Sequence, residues 1–134
     1  INRMEPYKTM RTTIAPTIML KNDKPFLTIG SPGASRISPA IVNTIVNIID
    51  YNMGLQEAIE APRFATKLVE DLHLENRMPD SLINMMKSKK YESIHIKGKM
   101  DLYFGGVQAA MYDYKNNVII GGADPRRDSV AVGF

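Results

Sequence analysis

Cysteine is absent from the 134-residue chain, which excludes disulfides and thiolate metal sites and leaves the redox compartment open. Histidine is scarce, with only His73 and His95. No apolar run reaches the roughly 20 residues that span a membrane, because Asn43, Thr44, Asn47 and Asp50 interrupt the longest helical stretch. Charge of one sign is not in excess either. The net charge of +3 is small and dispersed, which argues against a nucleic-acid partner. The densest basic stretch, Lys87-Ser88-Lys89-Lys90, reads as the solvated end of an amphipathic helix near the favourable pole of its dipole. Internal repeats and low-complexity tracts are missing. No signal-peptide pattern follows Ile1, and a start with neither Met nor a targeting segment points to an internal piece of a longer polypeptide.

What is present is an ordinary globular composition, 44% hydrophobic and 23% charged, in a chain long enough to bury one core. Residues 1–11 read as an entering loop. Residues 13–20 read as a strand, Lys21-Asn22-Asp23-Lys24 as a turn and residues 25–29 as the returning strand, with Pro25 at its first position. Ser38-Pro39 reads as a helix start with Ser38 at the N-cap. The helix sets Ile41, Ile45, Ile48 and Ile49 against polar Asn43, Asn47 and Asp50, and Gly54 ends it. A short helix over residues 55–60 stops before Pro62. Residues 64–74 look extended and 79–89 helical. Residues 91–96, 106–112 and 117–121 read as further strands, the last two joined through Tyr114-Lys115-Asn116. A hairpin, helices and then more antiparallel strands predict a single α+β domain over residues 1–134.

The run Gly30-Ser31-Pro32-Gly33-Ala34-Ser35-Arg36-Ile37 lies between a strand and a helix. Small residues there let backbone N–H groups face a phosphate, a carboxylate or a developing oxyanion, although a plain strand-to-helix turn uses the same residues. Other segments accompany it in order: Arg11-Thr12-Thr13-Ile14-Ala15-Pro16-Thr17, Asp50-Tyr51-Asn52-Met53-Gly54-Leu55-Gln56-Glu57-Ala58, Ala61-Pro62-Arg63-Phe64, Phe104-Gly105-Gly106-Val107-Gln108-Ala109 and Gly122-Ala123-Asp124-Pro125-Arg126-Arg127. Together they resemble the small-subunit sequence of the γ-glutamyltransferase (γ-glutamyltranspeptidase) family, from about residue 9 to residue 134.

The resemblance implies the C-terminal half of an N-terminal-nucleophile hydrolase, an αββα sandwich. It also implies cleavage of γ-glutamyl amides through a γ-glutamyl-threonine ester, with an amino acid or water as acceptor and no cofactor. Thr12 and Thr13 match paired hydroxyls that bind the substrate α-carboxylate; without the resemblance, two threonines opening a strand reflect β-propensity. Gly33 and Ala34 match a Gly-Gly pair whose N–H groups form the oxyanion hole, where such donors contribute about 3 kcal/mol. Ala34 departs from that pattern, and its Cβ costs energy if the position needs positive φ. Arg36 matches a Ser-Arg-Ile, with an electrostatic role in holding the turn or a nearby carboxylate. Arg127 lies in the closing Asp-Pro-Arg motif and matches a tail arginine that faces the active site in the branch cutting poly-γ-glutamate capsule. Arg11, Ala15 and Phe104-Gly105-Gly106-Val107-Gln108 also resemble that branch.

The family's nucleophile begins a Thr-Thr-His motif, and no such motif occurs in this chain. By the resemblance the chain is a C-terminal fragment whose partners are the rest of the small subunit and the large subunit. Alone it is expected to be inactive and to self-associate through uncovered apolar faces. Alternatives are a poly-γ-glutamate depolymerase, another amide hydrolase of the superfamily, or a non-catalytic remnant. Family members are extracellular, periplasmic or cytoplasmic, so the compartment stays open. Asp71, His73 and Glu75 alternate as one face of an extended segment. Because His95 has no matching carboxylate spacing, a solvated strand face is expected there and no metal site. The nine methionines read as core filler.

Overall fold

The computed structural model describes residues 3–67, 71–89, 91 and 93–133. The expectations that touch Ile1, Asn2, Lys90, Glu92, Phe134 and residues 68–70 lie, for those positions, outside the described residues.

Strand β1 (Thr17–Lys21) turns through Asn22 and Asp23 into β2 (Lys24–Gly30). Both turn residues have positive φ (52° and 59°), a two-residue hairpin turn whose twist matches its strands. The threonine-rich segment joins β1 only from Thr17; residues 11–16 form no strand, since Pro16 cannot donate to a ladder. Leu27 and Ile29 of β2 are buried and Thr28 between them is exposed, so one face of the strand meets the core.

Helix α1 (Ile37–Ile49) begins two residues earlier than an N-cap at Ser38 implies, with Arg36 at the N-cap instead. A 3-10 turn over Ala34–Arg36 leads straight into it, and Pro39 falls inside its first turn. Ile41 and Ile48 are buried as their spacing requires, whereas Ile49 is exposed. Gly54 caps the start of α2 (Leu55–Glu60) instead of closing α1, whose C-cap is Asp50. The two helices lie against sheet A through Leu27, Ile29, Ile41, Leu55, Ile59 and Val107.

Sheet A has the order β1-β2-β6-β7, with β6 (Gln108–Asp113) and β7 (Val118–Ala123), and all its pairings are antiparallel. α2 reaches β7 closely because Gly122 lacks a Cβ, which would stand 2.5 Å from Ile59 Cδ1. Gln56 of α2 then pairs both its amide groups with the backbone of Ala123.

The segment expected to be continuously extended over residues 64–74 is two antiparallel strands, β3 (Phe64–Lys67) and β4 (Asp71–Glu75). Helix α3 (Asp80–Lys87) then crosses over to β5 (Ser93–Lys97), which pairs parallel to β4. This corrects the expectation of antiparallel strands only: an intervening helix returns the chain in the same direction. The result is a three-stranded sheet B beside the four-stranded sheet A, an α+β fold.

Candidate active site

Antiparallel pairing sends the motif segments to one end of sheet A. Thr17 at the start of β1 lies opposite Ile29 near the end of β2, and Gly30 lies opposite Gln108 at the start of β6. Gln108 in turn faces Ala123 at the end of β7. The arm holding Thr12 and Thr13, the turn after Gly30, Gly105-Gly106 and Asp124-Pro125-Arg126-Arg127 therefore all leave the sheet at the same end.

The turn is strained in a defined way. Gly33 has φ 139° and ψ 14°, and Ala34 follows with φ 51°, the left-handed region that side chains disfavour. The Arg36 N–H donates to Gly33 O at 2.9 Å and closes the turn. The first N–H groups of a helical turn have no partner within it, so the Gly33 and Ala34 amides head the 3-10 turn as free donors of that turn. Behind them, Gly105 packs so closely that an added Cβ would lie 2.9 Å from Pro32 O. The Ser31 hydroxyl donates to Pro32 O and accepts from the Gly106 N–H at 3.1 Å. Ala34→Gly is expected to stabilise the protein by about 0.5–1 kcal/mol, because relief of left-handed strain exceeds the extra chain entropy. Denaturant unfolding checks it, and a destabilised variant would contradict it.

Arg36 finds no carboxylate among the described residues. Its guanidinium lies over the Tyr103 ring, 4.0 Å from the centroid, and donates to Ser35 Oγ. Arg127 is exposed, and its aliphatic stem covers Gly106, where an added Cβ would stand 2.1 Å from Arg127 Cγ. The structure thus brings Gly33, Ala34, Arg36 and Arg127 to one neighbourhood. Thr12 and Thr13 are exposed on the arm before β1, and Thr12 Oγ1 accepts from the Ile14 N–H at 3.1 Å.

A buried ion network fixes this end from within. Asp124, fully buried, accepts from Arg63 at 2.6 Å, from Arg126 at 3.1 Å and from the Val107 and Arg126 N–H groups. Arg126 reaches Glu75 at 2.6 Å, and Glu75 also receives Arg77. Arg63 and Arg126 further donate to the carbonyls of Ile59, Ala61 and Phe104. Burial would raise the Asp124 carboxyl, but Arg63, the two N–H groups and Arg126 together hold it below the usual carboxylate range. Burial and the neighbouring Arg126 lower the Arg63 value, which Asp124 opposes.

Glu75 is therefore not on a solvated face: it is 0% exposed. Nor does His95 lack a carboxylate. Parallel pairing sets His73 opposite His95, the rings stack at 4.6 Å, and His95 Nε2 stands 3.8 Å from Asp71 Oδ1. His73 also meets Tyr103 at 4.4 Å, so an aromatic row runs from Arg36 through Tyr103 to both histidines. Burial, helped by His95, Lys97 and Arg36, lowers the His73 pKa. Sequence spacing gave no sign of this row, because it depends on which strands become neighbours. The partners Arg63, Asp124 and Arg126 did stand inside the motif segments, but nothing in their spacing revealed that they meet.

The fold and these motifs have clear relatives. A Bacillus subtilis glutathione hydrolase proenzyme is 33% identical over 133 residues, covering 99% of this chain and 22% of its own length. The Bacillus anthracis capsule biosynthesis protein CapD proenzyme is 36% identical over 129 residues, covering 95% of this chain and 23% of its own. The chain thus spans about a fifth of the length of the curated relatives it matches. The crystal structure of an acivicin-inhibited gamma-glutamyltranspeptidase, whose C-terminus has critical roles in autoprocessing and catalysis, superposes with a TM-score of 0.83 at 36% identity. That match covers 96% of this chain and 68% of the other. These neighbours are N-terminal-nucleophile hydrolases, in agreement with the α+β fold. The sequence pattern of the gamma-glutamyltranspeptidase family matches residues 1–134, and the chain belongs to that family.

Proposed function

We propose that this end of sheet A takes part in acyl transfer from γ-glutamyl amides, with water or an amino acid as acceptor. The observation that carries the reading is the left-handed turn at Gly33-Ala34, braced by Gly105 and Ser31, at the sheet end where the other motif segments converge. The Gly33 and Ala34 N–H groups receive the oxyanion that forms when the γ-glutamyl carbonyl is attacked. Thr12 and Thr13, on the arm that leaves the same sheet end, hold the substrate α-carboxylate. Arg36 supplies positive charge beside the turn. The chain has no Thr-Thr-His motif, so the attacking threonine hydroxyl, and the ester it forms, belong to a residue outside these 134. The rest of the small subunit and the large subunit complete the site.

Arg127 favours a second reading within the same chemistry, since its stem rests on Gly106 next to the turn. A guanidinium there suits a donor with additional carboxylates, such as poly-γ-glutamate.

The test is Thr12→Ala in the active protein, assayed with a γ-glutamyl anilide. The expected loss in kcat/KM is ten- to a hundred-fold, since a hydrogen bond to a charged group contributes about 1.5–3 kcal/mol. Stability should change by less than about 1 kcal/mol, because Thr12 is exposed and outside the strand. An unchanged kcat/KM would remove Thr12 from the site.

A further inference from the structure

Three side chains with no part in acyl transfer meet on sheet B. Parallel pairing of β4 with β5 puts Asp71 opposite Ser93 and His73 opposite His95. One ligating atom from each of Asp71, His73 and His95 falls within 4.8 Å of the other two. The Ser93 hydroxyl donates to Asp71 and lies 3.1 Å from His95 Nε2. His73 is 8% exposed, and its buried Nδ1 has no hydrogen-bond partner among the described residues. Buried polar atoms are normally paired, so an unpartnered nitrogen on an imidazole that stacks on a second one calls for an explanation.

We propose that Asp71, His73 and His95 bind a divalent transition-metal ion of the zinc class. Two imidazoles and a carboxylate without thiolate suit such an ion, whereas magnesium and calcium prefer oxygen donors throughout. Zinc bonds of about 2.0–2.2 Å put ligating atoms roughly 3.3 Å apart. An imidazole ligates in its ring plane, so on binding the His95 ring turns out of its stack on His73 and the cluster draws in. The movement falls to His95 and Asp71, whose side chains are 45% and 41% exposed, while His73 stays fixed in the core. Ser93 Oγ or a water fills the fourth position. The ion ties β4 to β5 and sets the His73 ring, against which Tyr103 and then Arg36 are stacked. Lys97 and Arg36 add positive charge nearby and work against a cation.

This inference is independent of the acyl-transfer reading, and its test does not use activity. Tag-free purified protein, stripped with chelator, is titrated with zinc chloride by calorimetry, alongside His95→Asn and Asp71→Asn. Both variants alter half-exposed side chains, and thermal melts verify that they fold. Wild type should bind one equivalent more than either variant, or bind that equivalent at least ten-fold tighter, and magnesium chloride should not compete. Cobalt(II) should give a visible absorption band in wild type that is absent in His95→Asn. Equal zinc stoichiometry and affinity in all three proteins, or a cobalt spectrum unaffected by His95→Asn, would overturn the proposal.

Discussion

Asp124→Ala is expected to lower the unfolding free energy by about 3–5 kcal/mol, because it leaves two buried guanidinium groups without their shared carboxylate. The residue closes four hydrogen bonds from separate parts of the chain: Arg63 before β3, Arg126 after β7, and the N–H groups of Val107 and Arg126. Removing it also strands the Val107 N–H at the base of Gly105-Gly106, so the turn loses its support along with the core. The same group predicts an acid limit. Its pKa is lowered in the folded protein, so its contribution is fully present above the unfolded value of about 4 and fades as pH falls toward the folded value. Denaturant unfolding from pH 7 down to pH 3 should show that loss in wild type and a flatter profile in Asp124→Ala. Glu5→Gln, which breaks exposed pairs with Arg3 and Lys8, should leave the curve in place. A small effect of Asp124→Ala would mean that the network is dispensable and that packing alone holds the sheet end.

The difference between Asp124 and Thr12 shows what the sequence made legible. Local features were readable because local chemistry decides them: Asn22-Asp23 marks a hairpin turn, Leu27 and Ile29 alternate with Thr28, and Leu55–Glu60 is bounded by Gly54 and Pro62. The Gly33 turn was legible for the same reason, and its positive φ at Ala34 follows from a residue pattern that asks for glycine twice. What stayed hidden depends on partners distant in the chain. Glu75 reads as one of three alternating polar residues until Arg126, 51 positions away, is found against it. His95 acquires a carboxylate and a second imidazole only because α3 returns the chain parallel to β4. Thr12 and Thr13 mark the opposite limit. Sequence placed them at the opening of a strand, yet the strand begins at Thr17 and leaves them exposed on an arm. Hydroxyls on such an arm carry little fold energy, so under the proposed role their substitution separates function from stability.

Gly105→Ala should damage both, and the reason lies in its backbone. With φ 81° and ψ −155°, Gly105 occupies a region essentially closed to other residues, at a cost of about 1–3 kcal/mol for a side chain. The new Cβ would also stand 2.7 Å from Ser31 Oγ and 2.9 Å from Pro32 O. Ser31 can rotate, but the Pro32 carbonyl is backbone and can yield only by moving the turn that carries Gly33 and Ala34. Under the proposed oxyanion role, displacing those two N–H groups by a fraction of an ångström to one ångström removes their aim, an effect on the order of a hundred-fold in kcat. KM should change far less, because the displaced donors act on the transition state rather than on the bound amide. Gly98→Ala is the matched control: its Cβ would meet only Asp101 Oδ2 at an ordinary 3.6 Å, so neither stability nor kcat should move appreciably. Steady-state kinetics and denaturant unfolding on the two variants decide between turn and site. A Gly105→Ala protein that is destabilised yet keeps its kcat would show that the Gly33 turn is structural and that the oxyanion is held elsewhere.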